Sequence, residues 1–321
     1  MNENVKEIED SKYLPIKINS IHPSTPVPFD IFVLVNKKYI HYLRSGDHLN
    51  EEKISKLNKK APESFFILSE NKASYKSYIH NMIAGDTLSA EDKAIVLRES
   101  SQALVEELFE SPDIESALIE SKGIITNFVQ FIDEQPSAMK HLIGLSTHDF
   151  YTYNHSLDVG IYFLGLGHVV GYNLRQLQEL GEGALFHDIG KRKVSIDIIC
   201  KNGPLDDIEW AQMQKHPEYG LAILNEFDFI SDAVRACCFE HHENFMGNGY
   251  PQQLDGEDIH PFARMVALTD TFDALTTKRS YNTPLTPAEA LEFMKTKLAG
   301  KYDEDLLSAM YDVLFSMNKT L

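Results

Sequence analysis

The sequence predicts a mainly α-helical protein in which a helical bundle follows a small domain that contains β-strands. From Ser89 onward apolar residues recur at helical spacing, whereas strand-forming residues concentrate before residue 80. The chain has 321 residues and is 43% hydrophobic, which is enough for two packed domains. We therefore expect a mixed α/β regulatory domain over residues 1–85, a helical linker over 86–140 and a helical domain over 141–321.

The N-terminal region carries strand and turn signals but no cluster of catalytic side chains. Residues 29–42 are rich in β-branched and aromatic side chains, and residues 65–68 are a further strand candidate. Ser45-Gly46-Asp47 indicates a turn, and residues 51–60 a short charged helix. This order of elements is typical of a compact sensory or regulatory domain.

Two helices are predicted before the main bundle. Ser89 and Asp92 have the spacing of a helix cap and begin the first. The second extends over residues 114–132 and ends before Pro136. The pair suits a linker, a homodimer interface or a part of the bundle, and the sequence leaves these three open.

The composition excludes several classes of partner. The chain has 30 Lys and Arg against 48 Asp and Glu, a formal net charge of −18. Such an acidic surface repels nucleic-acid polymers and anionic lipid, so neither is expected as a partner. Cys200, Cys237 and Cys238 are odd in number and form no CxxC, which argues against a disulfide framework and a thiolate zinc site.

No membrane-targeting signal is recognised in the sequence. The charged N-terminal residues lack the apolar stretch of a signal peptide. The longest apolar run, residues 159–170, is short for a membrane span and contains three glycines. We expect this run to form a buried, closely packed helix in a cytoplasmic protein.

Five histidines and two aspartates form a series on or beside predicted helices. They are His155, His187, Asp188, His216, His241, His242 and Asp270. A helical bundle can project such side chains inward onto one point, whereas burying them without a metal would be costly. Adjacent residues on a helix diverge by about 100°, so His187 and Asp188 can each reach a different ion. Imidazole and carboxylate without thiolate suit Fe, Mn, Ni, Co or Zn.

Residues 141–296 resemble the HD-GYP family, the bacterial branch of the HD metal-dependent phosphohydrolases that degrade cyclic di-GMP. Five motifs occur in the family's order, and the fourth includes the complete Gly-Tyr-Pro signature. They are YTYNHS (151–156), LFHDIGK (185–191), KHPEYG (215–220), HHENFMGNGYP (241–251) and ARMVALTDTFDALTTKRSY (263–281). The resemblance covers about half of the chain and implies an HD-type helical bundle.

The resemblance implies a ligand set and a substrate site. The family's metal ligands fall on the seven residues named above, with Asp188 as the bridge between two divalent transition-metal ions, Fe or Mn. Some members hold a third ion with a glutamate at the position of Tyr151, so two ions are expected here. Lys191, Arg279 and Tyr250 match the residues that contact the phosphates of cyclic di-GMP.

The implied activity is a binuclear-metal phosphodiesterase that converts cyclic di-GMP to pGpG or GMP. A hydroxide held between two cations is a strong nucleophile at neutral pH. Lys191 and Arg279 would hold the substrate phosphate for in-line attack. Asp188, Lys191 and Tyr250 are the expected catalytic residues, and the glycine-rich loop 244–261 would place Tyr250 beside the metals. The alternative is a structural loop with Tyr250 packed beneath it.

Two further carboxylates carry expectations about the surroundings of the ligands. Glu243 is expected to orient a histidine ligand, with an ordinary surface carboxylate as the alternative. For Asp273 a helix-capping or salt-bridge role is preferred over orientation of a ligand.

The sequence also departs from the family's pattern around the ligands. Asn244 replaces a basic residue, Met246 an aspartate, and Asn282 an arginine. These changes leave two alternatives open. One is a degenerate member that binds a nucleotide or a GGDEF-type partner without turnover. The other is a different HD-type chemistry, on another cyclic dinucleotide or a phosphomonoester, or a di-iron oxidation.

Overall fold

The computed structural model describes residues 12–50, 53, 65–145, 152–277 and 283–316. The chain divides into two compact units, Met1–Ala103 and Leu104–Leu321.

The first unit contains a four-stranded antiparallel sheet. Its strands are β1 (Tyr13–Ile16), β2 (Ile31–Val35), β3 (Lys38–Leu43) and β4 (Phe65–Leu68), in the spatial order β1-β4-β2-β3. The predicted strand at residues 65–68 is confirmed. Only the strand β1 has no counterpart in the sequence analysis. It includes Pro15, which an edge strand tolerates because one side of that strand donates no ladder hydrogen bonds.

The strand-rich segment 29–42 forms a hairpin. Asn36 and Lys37 join its two strands with φ values of 50° and 62°. Positive φ at both central residues is the geometry of a tight hairpin turn, which Asn accepts readily and Lys rarely. The turn at residues 45–47 is confirmed, since Gly46 has φ 90°. The predicted helix at 51–60 lies outside the described residues except for Lys53.

Two helices follow the sheet. Helix α1 (Lys72–Ala84) packs Tyr75 and Tyr78 against Phe29, which lies just before strand β2, with ring centroids 5.8 Å apart in both pairs. Helix α2 (Ala90–Glu110) begins with the predicted cap, because the Asp92 N–H donates to the Ser89 hydroxyl oxygen at 3.1 Å.

The described part of the second unit is helical. Its helices are α3 (Ile114–Glu134), α4 (Met139–Gly144), α5 (Thr152–Val170), α6 (Leu174–Phe186), α7 (Ile196–Ile199), α8 (Asp207–Met213), α9 (His216–Leu224), α10 (Asp232–Glu240), α11 (Pro261–Thr276), α12 (Pro287–Thr296) and α13 (Glu304–Tyr311). A 3-10 turn, Ile189–Lys193, follows α6, and a π-helical turn, Asp312–Ser316, follows α13. The predicted second helix and its end before Pro136 are confirmed.

Helix α5 lies at the centre of the second unit and packs most extensively on α6 and α11. Its glycines allow close approach, since a Cβ on Gly165 would lie 2.7 Å from Met139 and one on Gly167 would lie 2.8 Å from Leu180. This confirms the predicted buried, closely packed helix. Among the helices that the structure describes, none has both the length and the apolarity needed to cross a bilayer.

Candidate metal centre

The structure brings the seven predicted ligands together inside the helical unit. The elements α5, α6, α9, α10 and α11 supply them, either from within a helix or from the residues directly after it. Two groups can each hold a metal ion, because within each group one ligand atom per residue lies within 4.8 Å of the others. The groups are His155, His187 and Asp188, and His216, His241 and His242.

The carboxylate of Asp188 lies between the two groups. Its Oδ1 is 3.2 Å from His216 Nε2 and 3.7 Å from His241 Nε2. Its Oδ2 is 3.4 Å from His187 Nε2 and 3.7 Å from His155 Nε2. Each oxygen therefore faces one group, which is the arrangement that a carboxylate bridging two cations requires.

Asp270 joins the first group from helix α11. Its Oδ1 lies 3.1 Å from His155 Nε2. In the second group, the His242 ring lies 5.0 Å from the His216 ring. All seven predicted ligands thus converge on one region.

Backbone carbonyls orient three of the histidines in the same way. Each ring donates its Nδ1–H to the carbonyl three residues earlier, which lies in the last turn of a helix and has few partners within that helix. The bonds are His187 to Ala184 (2.6 Å), His216 to Met213 (2.8 Å) and His241 to Cys238 (2.9 Å). In a neutral ring this fixes the tautomer and leaves the Nε2 lone pair for a metal.

Asp273 pairs with the fourth histidine, which confirms the expected salt-bridge role and adds the orientation of a candidate ligand to it. Its Oδ2 lies 2.7 Å from His155 Nδ1, and both side chains are buried. The Thr277 hydroxyl donates to Asp273 Oδ1 at 3.2 Å and fixes the carboxylate in turn.

Glu243 differs from both expectations, because it neither orients a histidine nor lies at the surface. It is 2% exposed and accepts three backbone N–H groups, from Gln252 at 2.5 Å, Gln253 at 3.0 Å and Leu254 at 3.1 Å. Its carboxylate therefore fastens the loop that carries the Gly-Tyr-Pro signature.

The electrostatics of the site keep Asp188 anionic and shift the pKa values of His242 and His155 in opposite directions. Burial would raise the pKa of Asp188, but Lys191 and His187 outweigh burial and hold it well below its usual range. Burial and the charge of His216 lower the pKa of His242 to about 3. Burial would also lower the pKa of His155, but hydrogen bonds to Asp270 and Asp273 raise it to about 9. A cation bound to His155 Nε2 would replace the proton that this nitrogen otherwise shares with Asp270.

The buried polar atoms of the site fit divalent metal ions. His187 Nε2 and Asp188 Oδ1 have no hydrogen-bond partner among the described residues, although unsatisfied buried groups are costly. His216 Nε2 and His241 Nε2 lie only 3.1 Å apart, with both Nδ1 protons already donated elsewhere. When both rings are neutral, two lone pairs at this distance repel each other, and a cation between them would remove the repulsion. Nitrogen and carboxylate donors suit first-row transition metals.

Of the three predicted substrate residues, the structure describes Lys191 and Tyr250. The Lys191 ammonium donates a hydrogen bond to Asp188 Oδ2. The Tyr250 ring stacks on His242, with centroids 4.6 Å apart and planes at 25°, and its N–H donates to the His242 carbonyl at 3.2 Å. The loop thus places Tyr250 beside a candidate ligand, as expected. Arg279, Tyr151 and Asn282 lie outside the described residues.

Sequence reasoning missed one residue beside the site. Trp210 of helix α8 lies edge-to-face with Tyr250, at a centroid distance of 6.3 Å, and is 47% exposed. The only signal in the sequence is that it is the single tryptophan of the chain.

Comparisons with known proteins agree with this geometry. The model of the HD domain family matches residues 139–306. A cyclic di-GMP phosphodiesterase of Pseudomonas aeruginosa is 31% identical over 218 residues, which cover 67% of this chain and 52% of the relative. A 3'3'-cGAMP-specific phosphodiesterase of Vibrio cholerae is 34% identical over 159 residues, which cover 49% of this chain and 30% of the relative. The chain thus spans about half or less of the length of these relatives.

A solved structure shares the fold over nearly the whole chain. It is an HDG"Y"P protein from Bdellovibrio bacteriovorus, with a TM-score of 0.75 and 24% sequence identity. The match covers 94% of this chain and 99% of that one. The family model spans just over half of the chain and includes the ligand set and the Gly249-Tyr250-Pro251 signature. The chain therefore belongs to the HD domain family, as a member of its HD-GYP branch.

Proposed function

We propose that this chain is a metal-dependent phosphodiesterase that hydrolyses cyclic di-GMP to pGpG or GMP. The observation that carries the proposal is the position of Asp188, whose two carboxylate oxygens face two separate groups of ligands. The names of relatives support the substrate class, since they are cyclic di-GMP and cGAMP phosphodiesterases.

Two ions of Fe or Mn would be held by the two groups. His155, His187 and Asp270 would hold one, and His216, His241 and His242 the other, with Asp188 shared between them. When bound, such ions activate water and stabilise negative charge on phosphoryl oxygens.

The chain's own basic and aromatic residues would position the substrate. The Lys191 ammonium already lies at the Asp188 carboxylate and is in place to contact a phosphate oxygen there. Burial raises the pKa of the Tyr250 hydroxyl, so it remains a proton donor for a second phosphate contact. Arg279 is proposed as a third contact through its place in the family's last motif.

A second substrate has specific support. Three relatives of Vibrio cholerae are named 3'3'-cGAMP-specific phosphodiesterases, at 34%, 32% and 30% identity. Hydrolysis of 3'3'-cGAMP is therefore the alternative to test.

The decisive experiment combines metal analysis with product analysis. Protein purified without added metal or chelator is analysed for metal content and is then incubated with cyclic di-GMP or 3'3'-cGAMP and Mn or Fe(II). We expect about two metals per chain by family resemblance, and linear products on chromatography. Bound metal without product from either substrate would favour a nucleotide- or GGDEF-binding module. Absence of bound metal would contradict the proposal.

Single substitutions separate the proposed roles. His187→Ala or Asp188→Ala should abolish metal binding, because each removes a buried ligand. Tyr250→Phe should leave metal content intact and weaken turnover only. Loss of metal from the tyrosine variant alone would contradict these roles.

A further inference from the structure

A row of aromatic rings leads from the buried metal centre to the surface of the helical unit. The His216 and His242 rings lie 5.0 Å apart, and Tyr250 stacks on His242 at 4.6 Å. Trp210 is the outer member of the row, 6.3 Å from Tyr250 with the planes at 80°.

The exposure of Trp210 is unusual for a ring that serves only for packing. Nearly half of the side chain, 47%, is exposed, although tryptophan is highly buried on average. The contact with Tyr250 is edge-to-face, so it involves an edge of one of the two rings and leaves much of the indole surface uncovered. An aromatic side chain in this state beside a metal centre is available to a ligand.

The position of Trp210 relative to the metal centre is set by helix α8. Asp206 and Glu209 cap this helix reciprocally, and Lys201 forms an ion pair with Glu209. The last residue of α8, Met213, accepts the Nδ1–H of His216. Trp210 lies one turn before Met213, so the same short helix holds both the indole and a candidate metal ligand. Such preorganisation lowers the entropic cost of binding.

We propose that Trp210 is the stacking platform for one purine base of the cyclic dinucleotide. The inference rests on the proposed function, because it needs a substrate phosphodiester at the metals. With one phosphate there, a base attached to the same sugar-phosphate ring extends outward along the row, towards Tyr250 and Trp210. Stacking on an aromatic face tolerates any base, so Trp210 contributes affinity for both guanine and adenine substrates rather than choice between them.

Intrinsic fluorescence tests this directly, because Trp210 is the only tryptophan in the chain. Cyclic di-GMP is titrated into the metal-loaded protein, and inorganic phosphate serves as a probe that can bind metals but has no base. We expect saturable quenching by cyclic di-GMP and none by phosphate. Equal quenching by both probes would overturn the stacking role.

Steady-state kinetics provide an independent readout. Trp210→Ala should raise KM about tenfold for both cyclic dinucleotides while metal content is unchanged, since it removes a base-stacking contact. Trp210→Phe should restore most of the affinity. Ile208→Ala is the matched control, because Ile208 lies on the same helix and is 73% exposed. An unchanged KM in Trp210→Ala would overturn the inference.

The outcomes for the two proposals can be told apart. Hydrolysis without quenching and without a change of KM in Trp210→Ala overturns the stacking role and leaves the phosphodiesterase in place. Saturable quenching without hydrolysis supports the stacking role and overturns the catalytic proposal. If metal-loaded protein shows neither hydrolysis nor quenching, both the phosphodiesterase activity and the stacking role are overturned.

Discussion

At the scale of single residues, the site depends on the atoms that hold each imidazole in place. Three histidines are oriented by carbonyls at helix ends, but His155 lies inside helix α5, where the carbonyls are already paired. Asp273 of helix α11 takes the role of the carbonyl and accepts the Nδ1–H of His155 at 2.7 Å. A carboxylate behind a ligating histidine also raises the basicity of the ligand.

Substitution of Asp273 tests this role. We expect Asp273→Ala to weaken metal binding about 10- to 100-fold, because the His155 ring loses its orienting partner. Asp273→Asn should recover part of the affinity, since an amide oxygen can still accept from Nδ1–H. Titration with a competing chelator measures the effect, and Asp228→Asn on an exposed loop is the control. An Asp273→Ala protein with unchanged metal affinity would contradict the role.

At the scale of elements, the motifs include glycines because two backbone segments meet at the site. A Cβ on Gly190, in the turn after Asp188, would lie 1.9 Å from the His216 carbonyl oxygen and 2.4 Å from the Gly220 nitrogen. Both neighbours are backbone atoms and cannot move aside cheaply. The close contact of the turn with helix α9 brings Asp188 within reach of His216.

The contact predicts a strong effect of one added methyl group. Gly190→Ala should lower the midpoint of thermal unfolding by several degrees and reduce metal content, because the turn must move away from helix α9. Gly123→Ala is the matched control, since its Cβ on helix α3 would meet nothing within 4 Å. That change should be neutral or stabilising by up to about 1 kcal/mol. Equal unfolding midpoints for the two variants would refute the steric argument.

The signature loop is a second element whose position depends on one side chain. The Glu243 carboxylate accepts three consecutive N–H groups of residues 252–254, just after Tyr250. A fourth bond joins the Tyr250 N–H to the His242 carbonyl. These bonds keep the loop folded against His241 and His242, the candidate ligands that precede it in the sequence.

Removing that carboxylate should loosen the loop and leave the metals in place. Hydrogen bonds to a charged group contribute about 1.5–3 kcal/mol each, so Glu243→Ala should expose residues 252–254 to rapid amide hydrogen exchange. Exchange measured by mass spectrometry checks this, with metal content determined on the same sample. Glu257→Ala, at an exposed glutamate close by, is the control. Slow exchange at 252–254 in Glu243→Ala would show that other contacts hold the loop.

At the scale of the whole molecule, the acidic character of the chain bears on its stability. The formal net charge is −18, and two anionic carboxylates, Asp188 and Asp270, converge in the helical unit. Cations bound there would offset part of this charge and satisfy the buried donor atoms. Metal binding to the folded state alone therefore contributes to the free energy of unfolding.

Removal of metal should destabilise the protein measurably. A ligand at 100 times its dissociation constant stabilises the folded state by about 2.7 kcal/mol. For a unit of this size we expect chelation to lower the unfolding midpoint by roughly 5–10 °C in calorimetry. Mn or Fe(II) should restore the midpoint, whereas Mg²⁺, which prefers oxygen ligands, should not. An unfolding midpoint that chelation leaves unchanged would argue against a structural contribution of the metals.

Local patterns in the sequence were sufficient for helices α2, α3 and α5, for the strand at residues 65–68 and for the convergence of the seven candidate ligands, whereas helix α1 was not predicted. Each depends on periodicity or on a motif within a short stretch of chain. The hairpin turn at Asn36-Lys37 escaped prediction because no glycine marks it, and β1 because Pro15 weakens its strand signal.

The sequence by itself determined the chemistry of this protein: imidazole and carboxylate donors on helices, in the order of a known family. Only the tertiary structure decided which Asp188 oxygen faces which group, that Asp273 supports His155 from 118 residues away, and that Glu243 holds the signature loop. The physical reason is that these pairings are distances between separate elements. Periodicity within one helix carries no information about how helices pack against one another.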